Sequence, residues 1–233
     1  MTELERLRTA HDDLLRAVAH DLRAPLRHVT SYGALVQEAL QDAPPTPALQ
    51  EALGFLATMD QSARRMGRMI DGLQAISRAR RAVLRWQPVP LADVLPPGVV
   101  AHIAPDLPTL HADPDLLREL LAQLLDNAAK FTRHTAQPSI RVQADAAPPG
   151  RVAFTVADNG AGFDMARAGA LFGIFQRLHR ASDFDGVGAG LALCRTIAER
   201  HGGTISADAA VGQGCTVRVE WPAVTPPPVD QPA

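Results

Sequence analysis

Between Glu3 and Gln41 the chain carries one glycine, Gly33, and one proline, Pro25, while Leu15, Leu22, Val29 and Val36 recur every seven residues. Val18, Leu26 and Leu40 fill the adjoining rows. An apolar repeat of this length is a helix with a seam for another helix. The cluster DAPPTP, from Asp42 to Pro47, cannot continue it, and a second helical pattern follows through Leu49, Leu53, Leu56, Met59, Met66, Met69, Ile70, Leu73 and Ile76. The first module, residues 1–85, is therefore expected to be a helical hairpin. Two helices bury one stripe between them and leave such wide apolar faces uncovered, whereas two hairpins enclose a four-helix core. Homodimerisation is the expectation, with an intramolecular spacer packed on the rest of the chain as the alternative.

After Arg85 the texture changes to short β-type runs at Val99 to Ile103, Ser139 to Ala144, Arg151 to Ala157, Thr204 to Ala209 and Thr216 to Trp221. Helical stretches lie between them. One starts at Asp113-Pro114, an N-cap followed by a first-turn proline, and runs to about Phe131. Another runs from about Gly190 to His201 and stops at Gly202-Gly203. The whole chain reads as α+β, a helical hairpin followed by an α/β sandwich over 86–222. The tail 223–233, rich in proline, has the composition of a disordered end.

Charge narrows the partners. Lys plus Arg is 23 against 25 for Asp plus Glu, a formal charge of −2, which removes a global electrostatic case for nucleic acid. No run approaches the length of apolar residues a membrane span needs, and the start MTELERLRTAHDD is unlike a signal peptide, so a cytosolic protein is expected. Cys194 and Cys215 stand far apart outside any metal or disulfide spacing.

Four segments of the second module are hard to explain as packing. In ELLAQLLDNAAKFT, Leu120, Leu121, Leu124 and Leu125 form an apolar helix face, and Gln123, Asn127 and Lys130 form a polar row. Lys130 is the sole lysine among the 23 basic residues. Asparagine offers a hard oxygen suited to magnesium and lysine a mobile charge for phosphate, although such a row is also what a solvated helix surface looks like. VADNGAGF ends a strand in Asp158, Asn159, Gly160, Ala161 and Gly162, and DNG alone is an ordinary turn signal. DGVGAGLALCRTIAERHGG sets Gly186, Gly188 and Gly190 before a helix, where backbone amides can approach oxyanions, or simply form a flexible loop. VGQGCTVRVEW turns at Gly212 and Gly214 into the last strand.

In this order, with LFGIFQRLH between the second and third, the four segments resemble the N, G1, F, G2 and G3 boxes of sensor histidine kinases and of their gyrase and MutL relatives. The hairpin supplies an independent match. RAVAHDLRAPLRH is similar to the phosphoacceptor H box, and the heptad puts His20 opposite the seam, facing solvent, with His11 near the seam. A metal pair of His20 and His28 fits poorly, since a spacing of eight is not a standard two-ligand helical spacing. Pro25, one turn beyond His20, removes a helical hydrogen bond to Asp21 and costs on the order of 3 kcal/mol, the mark of a kink that either loosens the helix beside His20 or only shapes the bundle. HDLRAPLR with FQRLH looks most like the transmitters attached to phytochromes and other PAS- or GAF-linked sensors.

The resemblance covers His11 to Pro222 and implies a dimeric protein-histidine kinase of a two-component system. It implies transfer of the γ-phosphoryl group of ATP to His20 and onward to an aspartate of a response-regulator receiver, with Asp21 assisting His20. By the same carry-over Asn127 coordinates Mg2+, Lys130 touches phosphate, and Asp158 accepts from the adenine amine. Gln123, Phe131, Gly160, Gly162, Gly186, Gly188 and Gly190 complete the nucleotide site. The stretch from Phe163 to Gly190 matches a lid over ATP, with Phe172 and Phe175 as its latch or as plain core. The signal would come from an upstream sensor domain or a separate sensor protein.

Two departures stand out. Gln123 replaces the glutamate that activates water in the hydrolysing relatives and cannot take a proton, so hydrolysis should be poor. Ala24 stands four residues after His20, where the family often has an Asn or Thr tied to dephosphorylating the partner. Two alternatives remain open at this point, a gyrase-like ATPase and a catalytically inactive dimer that binds nucleotide as a scaffold.

Overall fold

A computed structural model of the chain describes residues 3–41, 43–98, 100–180 and 183–223, the side chains of 3–16 apart. Leu15 and His11 of the expected seam, Val99 of the expected first strand, and the tail beyond Ala223 therefore lie outside the described side chains or residues. The chain divides into two compact units, Met1–Ser77 and Arg78–Ala233.

The first unit is the expected hairpin, α1 over Glu3–Ala39 and the body of α2, which spans Pro47–Arg81. Pro47 opens α2, where its missing N–H costs nothing, and the Thr46 hydroxyl accepts from Leu49 N–H at 3.1 Å. The two helices run antiparallel. Arg23 pairs with Asp71 at 2.5 Å, Leu26 packs on Gly67, and Met59 comes within 3.2 Å of where Gly33 would carry a Cβ. Ala19, Ala63 and Ile70 are buried. α1 runs on through Pro25, whose ring removes the donor that would meet the Asp21 carbonyl.

The hairpin leaves much of its apolar surface open. Val18, Leu22, Val29 and Val36 are between 40% and 49% exposed, and Tyr32, Leu35, Phe55, Met59 and Met66 are exposed as well. The seam read from the heptad is thus a surface of the single chain, too large to be scattered exposure.

The second unit is a sheet with helices on one face. Its five strands run in the order β2-β4-β5-β7-β6, with β2 His102–Ile103, β4 Ile140–Asp145, β5 Arg151–Asp158, β6 Thr204–Ala210 and β7 Gly214–Pro222. β2 lies parallel to β4 and the other neighbours are antiparallel. Helices α3, Pro114–Thr132, and α4, Gly190–Arg200, cover it. Leu117, Leu120, Leu121 and Leu124 of α3 and Ile197 of α4 are buried with Phe154 and Val156 of β5 and Val219 and Trp221 of β7. The other face carries charge: Arg218 bonds Asp145 at 2.6 Å and also pairs with Glu220.

Four of the expected strands are present, and the fifth is reduced to His102–Ile103. A separate antiparallel pair, β1 Gln87–Pro90 with β3 Thr109–Ala112, is not legible in the sequence. Pro88 and Pro90 in β1 cannot donate to a ladder, and only a two-stranded edge tolerates them.

The start of α3 is tied down from three sides. The Asp113 carboxylate caps it, accepting from Asp115 N–H at 3.0 Å and Leu116 N–H at 3.2 Å, and accepts Arg85 N–H at 3.0 Å. Asp113 N–H in turn donates to His201 Nε2 at 3.1 Å, while His201 Nδ1 lies 2.8 Å from the Ile197 carbonyl. These partners fix the ring as the neutral tautomer protonated on Nδ1. Trp86 stacks on His111 and meets His201 edge-on at 5.1 Å, and Trp221 lies 4.7 Å from His201 on another side. Burial lowers the pKa of His201. α4 ends at His201, and Gly203 N–H returns to the Ala198 carbonyl at 2.8 Å.

Candidate functional site

On α1 the His20 side chain is 83% exposed, with Nδ1 3.1 Å from Asp21 Oδ1. A carboxylate only accepts, so on the neutral ring Nδ1 carries the proton and Nε2 keeps its lone pair. Neighbours one residue apart on a helix project about 100° from one another, and side-chain reach closes that angle here.

The second unit gathers most of the expected nucleotide residues at the C-terminal half of α3. Lys130 Nζ donates to Asn127 Oδ1 at 2.8 Å and lies 4.5 Å from the centroid of the Phe131 ring. Burial lowers the Lys130 pKa, Asp126 pulling the other way. A partly desolvated ammonium gains more from an incoming anion than one in open water. Gln123 Oε1 lies against Gly190, 2.5 Å from where a Cβ would stand, and Lys130 Nζ is 3.4 Å from the same point on Gly186. The helix row and the glycine loop thus face each other.

The strand-end loop closes another side. Asp158 terminates β5, and its carboxylate accepts Gly160 N–H at 2.8 Å and is also hydrogen-bonded to the Cys215 backbone. Burial raises its pKa against those donors. Ala161 N–H reaches the Phe131 carbonyl at 3.2 Å, and a Cβ on Gly160 would stand 2.4 Å from that oxygen. Only glycine permits this approach. Gly162 lies against the Ala210 carbonyl. Gly188, at φ +77°, sits against the backbone of Phe175 and Gln176, and its carbonyl accepts Phe175 N–H at 2.9 Å.

The loop from Phe163 to Ala189 holds side chains that the sequence reading passed over. Phe172 and Phe175 are half-buried, whereas Phe184 is fully packed. Phe184 meets Phe131 at 5.0 Å, His179 at 5.1 Å and His134 at 5.8 Å. Arg177 donates to the carbonyls of Gly186 and Phe184, both at 2.6 Å, and to that of Arg180. Arg133 bonds Asp185 at 3.0 Å and the Asp183 carbonyl at 2.5 Å. FQRLH held the signal for Arg177 and His179; Phe184, in ASDFDG, belongs to no periodic pattern. Among the described residues no group of three His, Cys, Asp or Glu is placed to hold a metal ion; the side-chain oxygen against the glycine loop is Gln123 Oε1, and Asn127 turns its amide nitrogen to Gly190 while its Oδ1 accepts from Lys130.

Two family models match, the His Kinase A (phospho-acceptor) domain over residues 10–82 and the Histidine kinase-, DNA gyrase B-, and HSP90-like ATPase over 112–225. Together they take in both units. The chain belongs to the sensor histidine kinase family. The adaptive-response sensory kinase SasA of a Synechococcus strain is 33% identical over 229 residues, covering 91% of this chain and 59% of that protein. Cyanobacterial phytochrome B of Nostoc is 30% identical over 227 residues, covering 92% of this chain and 30% of its own length. The transmitter module therefore spans between about a third and three fifths of these relatives. Among solved structures, full-length ShkA in complex with AMPPNP superposes with TM-score 0.59 at 26% identity, over 92% of this chain and 46% of that one. The Acinetobacter baumannii kinase AdeS shares the fold at TM-score 0.53 and 14% identity, over 87% of this chain and 97% of that one. A phytochrome and SasA match at 30% and 33% identity, so the family is the level at which the likeness is specific.

Proposed function

We propose that this transmitter module is an ATP-dependent protein-histidine kinase that phosphorylates itself on His20 and passes the phosphoryl group to an aspartate of a response-regulator receiver. The observation that carries the proposal is the pairing of an exposed imidazole, its Nδ1 held by Asp21, with a separate unit that brings Asn127, Lys130 and two glycine loops together. AMPPNP bound to the ShkA relative supports ATP as the substrate.

In this reading Nε2 of His20 attacks the γ-phosphorus in line, the bond to the β–γ bridging oxygen breaks, and ADP leaves with the electron pair. The phosphorylated ring sheds its Nδ1 proton toward Asp21. Lys130 neutralises phosphate charge, and the backbone N–H groups around Gly186, Gly188 and Gly190 at the start of α4 bind phosphate oxygens. Asp158 accepts from the exocyclic amine of the base, which enters past Gly160 and Gly162. Asn127 fits Mg2+ as one hard oxygen ligand, the rest being phosphate and water, and the ion would offset charge on the phosphates. Gln123, amide rather than acid, offers no base for water.

Dimerisation through the open seam of the hairpin completes the reading, since a second copy would cover Val18, Leu22, Val29 and Val36. A receiver domain and an upstream sensor are its partners and nucleic acid is not; no described helix is long and apolar enough to cross a membrane, and the cytoplasm is where this module works. Residues 1–85 form the phosphoacceptor domain and 86–222 the ATP-binding domain. Ala24 argues for weak phosphatase activity.

Incubation with γ-labelled ATP and Mg2+ tests the reading: the wild-type chain takes up label and elutes at the mass of two chains, and His20→Gln takes up none. Steady phosphate release without labelled protein would favour the gyrase-like ATPase. Nucleotide binding with neither product would favour the inactive scaffold.

A further inference from the structure

Three rings form a closed triangle at the end of α3. Phe131 lies 5.2 Å from His179 and 5.0 Å from Phe184, and His179 and Phe184 are 5.1 Å apart. Phe131 belongs to α3, and the other two belong to the loop between Phe163 and Ala189. The His179 ring is also hydrogen-bonded to the Gly162 backbone, in the strand-end loop that holds Gly160. One small cluster therefore joins the helix, the strand-end loop and the intervening loop, the three parts that the nucleotide reading needs in register.

The loop end of the triangle is braced twice over. Arg177 gathers the carbonyls of Gly186, Phe184 and Arg180, which ties Phe184 to the residue two places after it. Just past the end of α3, Arg133 lies 5.3 Å over the Phe184 ring and also bonds Asp185 and the Asp183 carbonyl. Gly186 at φ +120° and Gly188 at φ +77° follow directly, backbone conformations that let a chain turn sharply beside Phe184. Only Phe184 among the loop's aromatic residues after Phe163 is buried to 7% exposure. Phe172 and Phe175, the latch expected from sequence, meet no ring of α3 among the contacts described.

We propose that His179 and Phe184 are positioning residues that clasp the loop onto Phe131, holding it in the conformation that retains nucleotide. The inference rests on the nucleotide-site reading. It assigns the clasp to two residues outside the glycine boxes, and it makes the loop's docking a matter of ring contacts and one hydrogen bond. Loosening the clasp lowers the population of the binding-competent loop, and apparent affinity falls by that fraction. The chemistry at His20, once nucleotide is saturating, is left alone.

The experiment uses the full chain and two readouts. Without nucleotide, trypsin cleavage after Arg177 and Arg180 is timed in the wild type, Phe184→Ala, His179→Ala and Arg133→Ala. With ATP, KM and kcat of self-labelling are measured on the same proteins, each checked for an unchanged near-ultraviolet circular dichroism spectrum. The clasp predicts faster cleavage in all three variants. It predicts a KM for ATP raised roughly tenfold by Phe184→Ala, the loss of its ring contacts, with kcat within about twofold. His179→Phe, which keeps a ring but loses the bond to Gly162, should fall between wild type and His179→Ala. Cleavage and KM equal to wild type in Phe184→Ala and His179→Ala would overturn the clasp while leaving the kinase reading intact. A wild-type chain that takes up no label would sink the kinase reading, and the cleavage rates without nucleotide would still decide whether the rings hold the loop.

Discussion

His201 is the buried residue with most to lose from a proton. Its Nε2 must stay bare to accept from Asp113 N–H at 3.1 Å while Nδ1 serves Ile197, and burial lowers its pKa, with Asp113 opposing and Arg200 assisting. The unfolded chain takes up a proton near pH ~6.5, where the folded chain still refuses it. Stability is thus whole above that pH and is lost as pH falls below it toward the lower folded value. His179, also lowered by burial, adds a term of the same sign. Thermal melts from pH 8 to pH 5 should show the melting temperature falling on the acid side, and His201→Gln should melt lower at pH 8 but with a shallower acid decline. An equal slope in that variant would remove His201 from the account. The glycine at 188 makes a comparable point about space: a side chain there would meet the Gln176 carbonyl at 2.4 Å, in a backbone conformation that L residues rarely adopt. A loop glycine in the sequence is compatible with flexibility; in the fold it is a fixed contact.

Helix α3 shows how far a sequence determines an element. Asp113-Pro114 marked its start, the four leucines its buried face and Gln123, Asn127 and Lys130 its polar row, and the helix spans Pro114–Thr132 with those faces. The cap does more than its local pattern indicates, because the same carboxylate also accepts from Arg85 and pairs with its guanidinium at 3.4 Å. Asp113→Ala should cost about 1–2 kcal/mol in urea unfolding of the second unit, with Asp113→Asn recovering part of it. A loss no larger than that of an exposed side chain would show the cap to be dispensable. Elements defined by long-range partners were not readable. β1 carries two prolines and is a strand only because Thr109–Ala112 lies beside it, and Phe184 matters only because Phe131, fifty-odd positions earlier, ends its helix at that point. Periodicity reports what a residue does for its own helix or strand, and such cross-chain pairs leave no period.

At the scale of the molecule, the two units answer two halves of one chemical problem. The hairpin presents an imidazole with one nitrogen occupied and an apolar seam left open, and the sandwich assembles a cation, an amide oxygen, a half-buried carboxylate and glycine loops around one end of a helix. Both halves are legible as ordered motifs in the sequence, because phosphoryl transfer depends on residue types that packing alone would not select. Their roles remain the proposal. The most direct measurement is the position of phosphate on the labelled chain, by phosphorus NMR and by mass spectrometry of peptides kept at alkaline pH. With Asp21 holding Nδ1, the account predicts phosphate on Nε2 of His20, stable in base and lost in acid. Phosphate found on a serine, an aspartate or another histidine, or released only as inorganic phosphate, would contradict it.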